Sequence, residues 1–158
     1  MKLVVISDTH GNYPAALRAV EMIAGADVVI HLGDFCEDTL PLQGALSCKI
    51  IRVPGNCDVG ARLPRELFLR FDGVPFLLCH GDAYGVKSGT TRLGEHAHRI
   101  GAEVVLFGHT HTPLIRSIDG RLFVNPGTLQ KGTPSPTFAL VTLEEGTVSA
   151  RLIPLPPL

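Results

Sequence analysis

The chain has 158 residues, of which 45% are apolar and 18% are charged, and its formal net charge is −1 at neutral pH. This balance is typical of a folded globular protein and excludes an intrinsically disordered chain. No apolar run reaches the roughly 18 residues that a membrane span requires, and no cluster of lysine and arginine indicates a nucleic-acid interface. The length predicts one domain, residues 1–158.

The first third of the chain alternates apolar runs of strand length with a helical pattern. Residues 2–7, 28–32 and 48–53 are nearly continuous apolar segments, as expected for strands that are buried on both faces. After the first of them, Pro14 stands where the first turn of a helix tolerates proline. The predicted apolar face of this helix consists of Leu17, Val20, Ile23 and Ala24. The alternation of strand and helix predicts a parallel sheet.

The middle of the chain changes to hairpin signals. Residues 67–71 and 74–79 flank Asp72-Gly73, a dipeptide that favours a tight turn between antiparallel strands. Residues 89–100 then fit a helix, and residues 103–107 fit another short strand.

The last third is rich in strands. Two further hairpins are predicted, the first from residues 114–118 and 122–124 and the second from residues 138–143 and 148–153. The proline-rich tail, residues 154–158, is expected to be a frayed end. An α/β beginning followed by hairpins predicts two mixed β-sheets packed face to face between helices.

Five short polar clusters, each directly after an apolar run, contain most of the potential ligands. They are Asp8-Thr9-His10, Gly33-Asp34, Gly55-Asn56-Cys57-Asp58, His80-Gly81-Asp82 and Gly108-His109-Thr110-His111. Carboxylate, amide and imidazole side chains suit first-row divalent metals, and there are enough of them here for two ions. Ligands of open α/β sheets bind outside the carboxyl ends of the strands, so we expect the five loops to converge on one cleft. Each cluster taken singly has the alternative interpretation of a turn or a helix cap.

These clusters resemble the signature of the calcineurin-like metallophosphoesterase family, which is a DxH, a GD, a GNHD-type segment, a lone histidine and a GHxH. The resemblance extends from Ser7 to about Thr128 and includes Asn125-Pro126-Gly127-Thr128, which is similar to the late NPG segment of the family. The short chain, the missing cap domain and Cys57 in place of the usual histidine resemble the small prokaryotic phosphodiesterases of the YfcE type.

The resemblance implies a four-layer α-β-β-α sandwich with two divalent metal ions. One ion would be held by Asp8, His10, Asp34 and His111. The second would be held by Asp34, Asn56, His80 and His109, with Asp34 bridging the pair. We expect manganese, and the ligand types leave iron, nickel, cobalt and zinc open.

The implied reaction is the hydrolysis of a phosphodiester by in-line attack of a metal-bridging hydroxide, with Asn56, Cys57 and His80 as catalytic residues. Two ions with two carboxylate ligands and a hydroxide leave about one net positive charge, which suits an anionic ester. Because a thiol carries no charge to meet a phosphate dianion, Cys57 predicts a preference for diesters, or for esters with good leaving groups, over unactivated monoesters. Asp58 is expected to act as a loop cap, and His31 as a packed histidine.

The main alternative function is a non-catalytic or weakly catalytic metal-binding scaffold that binds partner proteins, as the retromer subunit of the same family does. A nuclease is disfavoured by the near-neutral charge. The four cysteines have no paired spacing, which predicts reduced thiols and a cytoplasmic protein. The expected partner is a small phosphate ester, with no membrane contact. The physiological ester and the oligomeric state, a homo-oligomer included, stay open.

Overall fold

The computed structural model describes residues 1–157, which form ten strands and three α-helices. The strands in chain order are β1 (Lys2–Ile6), β2 (Val28–His31), β3 (Lys49–Arg52), β4 (Glu66–Phe71), β5 (Val74–Cys79), β6 (Val104–Leu106), β7 (Leu114–Ile118), β8 (Arg121–Asn125), β9 (Thr137–Glu144) and β10 (Thr147–Pro154). The α-helices are α1 (Tyr13–Glu21), α2 (Leu40–Gln43) and α3 (Thr91–Ile100). Every predicted strand is confirmed to within one residue at each end.

The strands form two mixed sheets, in the orders β10-β9-β1-β2-β3 and β4-β5-β6-β8-β7. Parallel pairs occupy β1-β2-β3 in the first sheet and β5-β6-β8 in the second, and hairpins complete the edges. The hairpin turns Asp72-Gly73, Asp119-Gly120 and Glu145-Gly146 have positive φ at both central residues. That conformation matches the right-handed twist of the flanking strands, so these dipeptides set the register of the hairpins.

The two sheets pack face to face, and the helices cover their outer faces. Alternate residues of one strand serve different layers: Val5 faces the core between the sheets, while Val4 packs with α1 on the outer face. On the other side, Leu93 and Ala97 of α3 pack against the outer face of the second sheet. This arrangement confirms the predicted fold. None of the helices within residues 1–157 has the length and apolarity needed to span a bilayer.

Two predictions about the outer surface are wrong. Helix α1 ends at Glu21, so Ala24 lies beyond the helix in an exposed turn rather than on its apolar face. The tail, predicted to fray over residues 154–158, is instead docked at its start: β10 extends to Pro154, and Leu155 is buried beside α1. Leu158 lies outside the described residues. Because β10 is an edge strand, the missing N–H of Pro154 leaves no ladder hydrogen bond broken. Leu155 then donates its N–H to the Pro136 carbonyl at 2.8 Å.

Candidate metal centre

The five polar clusters meet at the carboxyl ends of strands from both sheets. Asp8 and His10 follow β1, Asp34 follows β2 and Asn56 follows β3 in the first sheet. His80 follows β5 in the second sheet, and His109 and His111 follow β6. Since the sheets pack face to face with these ends side by side, one cleft receives side chains that are up to about a hundred residues apart. The expected convergence of the five loops is therefore present.

One group of donor atoms comes from Asp8, His10, Asp34 and His111, all within 4.8 Å of one another. Asp8 Oδ1 lies 3.1 Å from His111 Nε2, and His10 Nε2 lies 3.7 Å from Asp34 Oδ2. Asp8 and Asp34 are buried, His10 is partly exposed, and His111 lies open to solvent. The group is thus a half-open cluster of two carboxylates and two imidazoles.

A second group consists of Asp34, His80 and His109, whose donor atoms also lie within 4.8 Å of one another. His80 Nε2 is 3.1 Å from His109 Nδ1, 3.1 Å from Asn56 Oδ1 and 3.5 Å from Asp34 Oδ1. Asp34 therefore faces the first group with Oδ2 and the second with Oδ1. A carboxylate with its two oxygens directed at two donor clusters is suited to bridging two ions.

The orientation of His80 shows that the second group is arranged around a positive charge. His80 Nδ1 lies 2.7 Å from the Leu32 carbonyl, which can only accept, so Nδ1 carries the hydrogen. Nε2 of the neutral ring then presents a lone pair to Asp34 and Asn56 oxygens that are acceptors as well. Only a proton or a cation makes this contact favourable. Metal-binding histidines commonly donate their other N–H to a backbone carbonyl in this way.

The pKa shifts in the centre result from burial and from the close contacts between its carboxylates and imidazoles. Burial opposes a charged His80, but its hydrogen bond to Asp34 and the nearby Asp8 carboxylate outweigh burial and raise the pKa of His80. Burial and the neighbouring His80 lower the pKa of His109. For Asp34, burial is outweighed by hydrogen bonds from His80 and from the Cys57 N–H, so its pKa is well below the usual range. The shared carboxylate is therefore ionised.

Two buried polar atoms of the first group, Asp8 Oδ1 and His10 Nε2, have no hydrogen-bond partner within residues 1–157. The other oxygen of Asp8 accepts hydrogen bonds from the Ser7 hydroxyl and, at 3.1 Å, from the His109 N–H. These bonds aim Oδ1 into the cleft. Buried polar atoms without a partner are costly unless a ligand satisfies them. The donor set therefore fits divalent cations.

The backbone around the centre is held in unusual conformations. Among residues 1–157, nine non-glycine residues have positive φ, and five of them belong to the two donor groups: Asp8, His10, Asp34, His109 and His111. Such strain clusters at functional sites, where the surrounding structure enforces it. At Gly55 the constraint is space, because a Cβ there would lie 2.2 Å from Asp34 Oδ1. No sequence pattern indicates the positive φ of these aspartates and histidines.

Asp58 joins the loops that carry Asp34 and Asn56. Its carboxylate accepts N–H groups from Asp34 at 2.9 Å, Cys36 at 3.0 Å and Gly55 at 2.7 Å. The expected loop cap is therefore present, and it links two loops rather than one.

A second network, which the sequence did not indicate, involves Asp38. The Gly33 N–H donates to His31 Nδ1 at 3.1 Å, which leaves the hydrogen on Nε2, 3.0 Å from Thr9 Oγ1. Thr9 Oγ1 in turn donates to Asp38 Oδ2 at 2.6 Å. His31 is thus a packed, neutral histidine, as predicted, and it ties the loop after β1 to the loop after β2.

The neutral state of His31 predicts a pH-dependent stability. Burial lowers the pKa of His31 to about 3, whereas in the unfolded chain it is about 6.5. The unfolded chain thus binds a proton that the folded chain rejects, and the free energy of unfolding falls as the pH drops from about 6.5 towards 3. As the pH falls, we expect the free energy of unfolding of the metal-free protein to decrease by up to about 1.4 kcal/mol per pH unit more than that of its His31→Gln variant. Urea unfolding at several pH values measures this difference, and equal slopes for both proteins would contradict it.

Other polar residues near the clusters in sequence have partners elsewhere. Asp82 pairs with Arg65 at 2.6 Å, and Asn12 donates to the Leu129 carbonyl at 2.7 Å. His96 pairs with Glu66 at 2.9 Å, and His98 accepts from Arg121 at 2.8 Å, both on the outer face of the second sheet. His96 and His98 of α3 therefore lie outside the cleft.

Comparison with known proteins agrees with the geometry. A family model described as the calcineurin-like phosphoesterase superfamily domain matches residues 1–146. The probable metallophosphoesterase YsnB of Bacillus subtilis is 30% identical over 154 residues, covering 96% of this chain and 89% of the relative. Phosphodiesterase YfcE of Escherichia coli K12 is 28% identical over 156 residues, covering 82% of this chain and 79% of the relative.

A crystal structure of a single mutant of Vps29 from Entamoeba histolytica has a TM-score of 0.78 at 20% identity, with 98% of this chain and 99% of that chain covered. At this identity the similarity shows a common fold. The family model, in contrast, includes all five polar clusters, and the relatives with phosphoesterase names confirm the predicted resemblance. The chain belongs to the calcineurin-like phosphoesterase superfamily.

Proposed function

We propose that the protein is a metal-dependent phosphodiesterase with two divalent ions in the cleft. Asp8, His10, Asp34 and His111 would hold one ion. Asp34, Asn56, His80 and His109 would hold the other. The observation that supports this assignment best is the surroundings of His80 Nε2, which meets three potential metal ligands within 3.5 Å while its Nδ1 is committed to the Leu32 carbonyl.

When bound, the ions supply Lewis acidity that activates water and stabilises charge on the phosphoryl oxygens. The residues of the chain supply the remaining requirements. Asp8 and Asp34 contribute only two negative charges, so the loaded cleft would keep a surplus of positive charge for an anionic ester. His80 is buried beneath the exposed Asn56, which places the Asn56 amide at the entrance where a substrate arrives.

Metal depletion and a matched pair of variants test the proposal. We expect exhaustive chelation to abolish hydrolysis of bis(p-nitrophenyl) phosphate and added Mn²⁺ to restore it. His111→Ala should lower the metal content measured by elemental analysis, because it removes a donor of the first group. His98→Ala serves as the control, because His98 is also exposed but lies outside the cleft. Undiminished turnover after chelation, or equal metal content in both variants, would exclude the proposed centre.

Cys57 predicts the class of ester. Its thiol is exposed at the cleft, and partial burial together with the nearby Asp34 raises its pKa. A neutral thiol offers neither a cation for a phosphate dianion nor a strong acid for a leaving oxygen. We expect the wild type to hydrolyse bis(p-nitrophenyl) phosphate faster than p-nitrophenyl phosphate. In Cys57→His the ratio of the diester rate to the monoester rate should be smaller. A wild type that prefers the monoester would contradict this assignment.

The scaffold alternative rests on the common fold with Vps29. A scaffold does not require metal ligands, yet both donor groups are complete here. Ser7 and His109 orient Asp8 by donating hydrogen bonds to it, and the Leu32 carbonyl orients His80 by accepting one. This completeness favours the enzyme. A protein that binds two ions but hydrolyses no phosphoester would favour the scaffold.

A further inference from the structure

A groove of about 780 Å³ lies beside the candidate metal centre, between the turn at residues 36–39 and the loop at residues 57–62. Its lining includes Phe35, Leu40 and Val59, which are 44%, 43% and 94% exposed. Eight large apolar residues are exposed in the described part of the chain, and these three share one groove. Cys57 lines the groove as well and donates its N–H to Asp34 Oδ1 at 2.8 Å, so the groove lies next to the centre.

Phe35 is held rigidly in this exposed position. Its φ of 66° lies in the left-handed region, which bulky side chains rarely adopt. The Phe35 carbonyl accepts the Asp38 N–H at 3.0 Å, and Asp58 binds the amides on both sides, those of Asp34 and Cys36. The ring centroid lies 5.4 Å from that of His10, a proposed metal ligand. An apolar ring is thus displayed beside the metal centre by a strained backbone, as expected of a binding residue.

The charges of the groove disfavour a second anionic group. Three carboxylates line it, those of Glu37, Asp38 and Asp58, against one guanidinium from Arg62. The carboxylates of Asp38 and Asp58 accept hydrogen bonds from backbone N–H groups, which hold them in place beside the groove. A ligand group with a further phosphate would be repelled, whereas an uncharged one would not.

We propose that this groove is the subsite for one ester arm of the phosphodiester substrate, and that this arm is uncharged and apolar or aromatic. The inference rests on the proposed function. The ester phosphate would lie at the metal centre, while the arm would cover Phe35, Leu40 and Val59 and remove their apolar surface from water. The substrate class is therefore a diester with at least one apolar arm, rather than a nucleic-acid strand that brings a phosphate at every residue.

Two slowly hydrolysed diesters test the subsite: diphenyl phosphate and dimethyl phosphate, as competitive inhibitors of bis(p-nitrophenyl) phosphate hydrolysis with Mn²⁺ added. We expect diphenyl phosphate to bind the wild type at least about tenfold more tightly than dimethyl phosphate does. Phe35→Ser and Leu40→Ser should each reduce this ratio of the two inhibition constants to about twofold. Phe68→Ser is the matched control, because Phe68 is 46% exposed on β4, away from the groove. The ratio, rather than the absolute rate, is the readout, since Phe35 touches a proposed metal ligand.

Methyl NMR signals of Leu40 and Val59 in the Zn²⁺-loaded protein provide a readout that requires no hydrolysis. Diphenyl phosphate should shift them, and dimethyl phosphate should leave them in place. An unchanged ratio in both groove variants, or a similar loss in Phe68→Ser, would overturn the subsite even if hydrolysis is confirmed. Shifted methyl signals without any turnover would keep the subsite and reject the enzymatic proposal instead.

Discussion

Replacing Asp34 by asparagine is expected to remove metal binding at both donor groups and with it the hydrolysis of phosphodiesters. Asp34 is the one side chain common to both groups, with Oδ2 at 3.7 Å from His10 Nε2 and Oδ1 at 3.5 Å from His80 Nε2. Loss of a residue that only orients a ligand already costs about 10–100-fold in metal affinity or activity. We therefore expect a loss of more than about 100-fold for the shared ligand itself. Isothermal titration with Mn²⁺ and rates on bis(p-nitrophenyl) phosphate measure both quantities.

The fold should survive this substitution, because asparagine keeps an oxygen that can accept the Cys57 N–H. The metal-free variant offers a second readout: the pKa of His80 should fall, since the hydrogen bond to Asp34 is the largest of the contacts that raise it against burial. Asp82→Asn is the control, because that carboxylate belongs to the same sequence cluster as His80 but pairs with Arg65. If Asp34→Asn bound two equivalents of Mn²⁺ with wild-type affinity, the bridging role would be wrong.

Removal of the Asp58 carboxylate is expected to destabilise the fold and the centre together. Asp58→Ala would leave three backbone N–H groups without their acceptor, those of Asp34, Cys36 and Gly55. Donors deprived of a charged acceptor cost about 1–3 kcal/mol each when water cannot reach them. Because these sites are only partly buried, we expect a total loss of about 3 kcal/mol in the free energy of unfolding, measured with urea. Metal affinity should fall as well, because the loops of Asp34 and Asn56 lose their link.

Two further variants separate these effects. Asp58→Asn keeps one acceptor oxygen and should recover part of the lost stability. Asp82→Ala removes an aspartate that forms an ion pair with the exposed Arg65, and pairs of that kind contribute about 0–1 kcal/mol. A stability of Asp58→Ala equal to that of Asp82→Ala would show that the three hydrogen bonds contribute little.

Cys57 and the groove lead to the same expectation about the substrate. A neutral thiol at the junction of the centre and the groove provides no second cation for a dianionic monoester. The acidic lining and the apolar residues Phe35 and Leu40 favour an uncharged arm in the adjoining space. A diester satisfies both conditions, because it has a single negative charge and a second arm.

The fold was predictable because its signals are local. The apolar runs of β1 and β2 and the turn dipeptides such as Asp72-Gly73 determine strand positions from a few neighbouring residues. The docked tail and the end of α1 were not predictable in this way. Leu155 is buried by α1, which is more than a hundred residues earlier in the chain, and no local pattern reports such a contact.

The sequence by itself determined which residue types follow the strands, and hence the seven candidate ligands and the family. The resemblance also implied their division between two groups that share Asp34. Only the tertiary structure decided which oxygen of Asp34 faces each group, how the Leu32 carbonyl aims His80 Nε2, and how Asp58 joins two loops. It also placed Phe35 in the left-handed region beside His10. The physical reason is the sequence separation of the contacts. The residue types are given directly by the sequence, whereas distances and hydrogen bonds between loops depend on how the two sheets pack against each other.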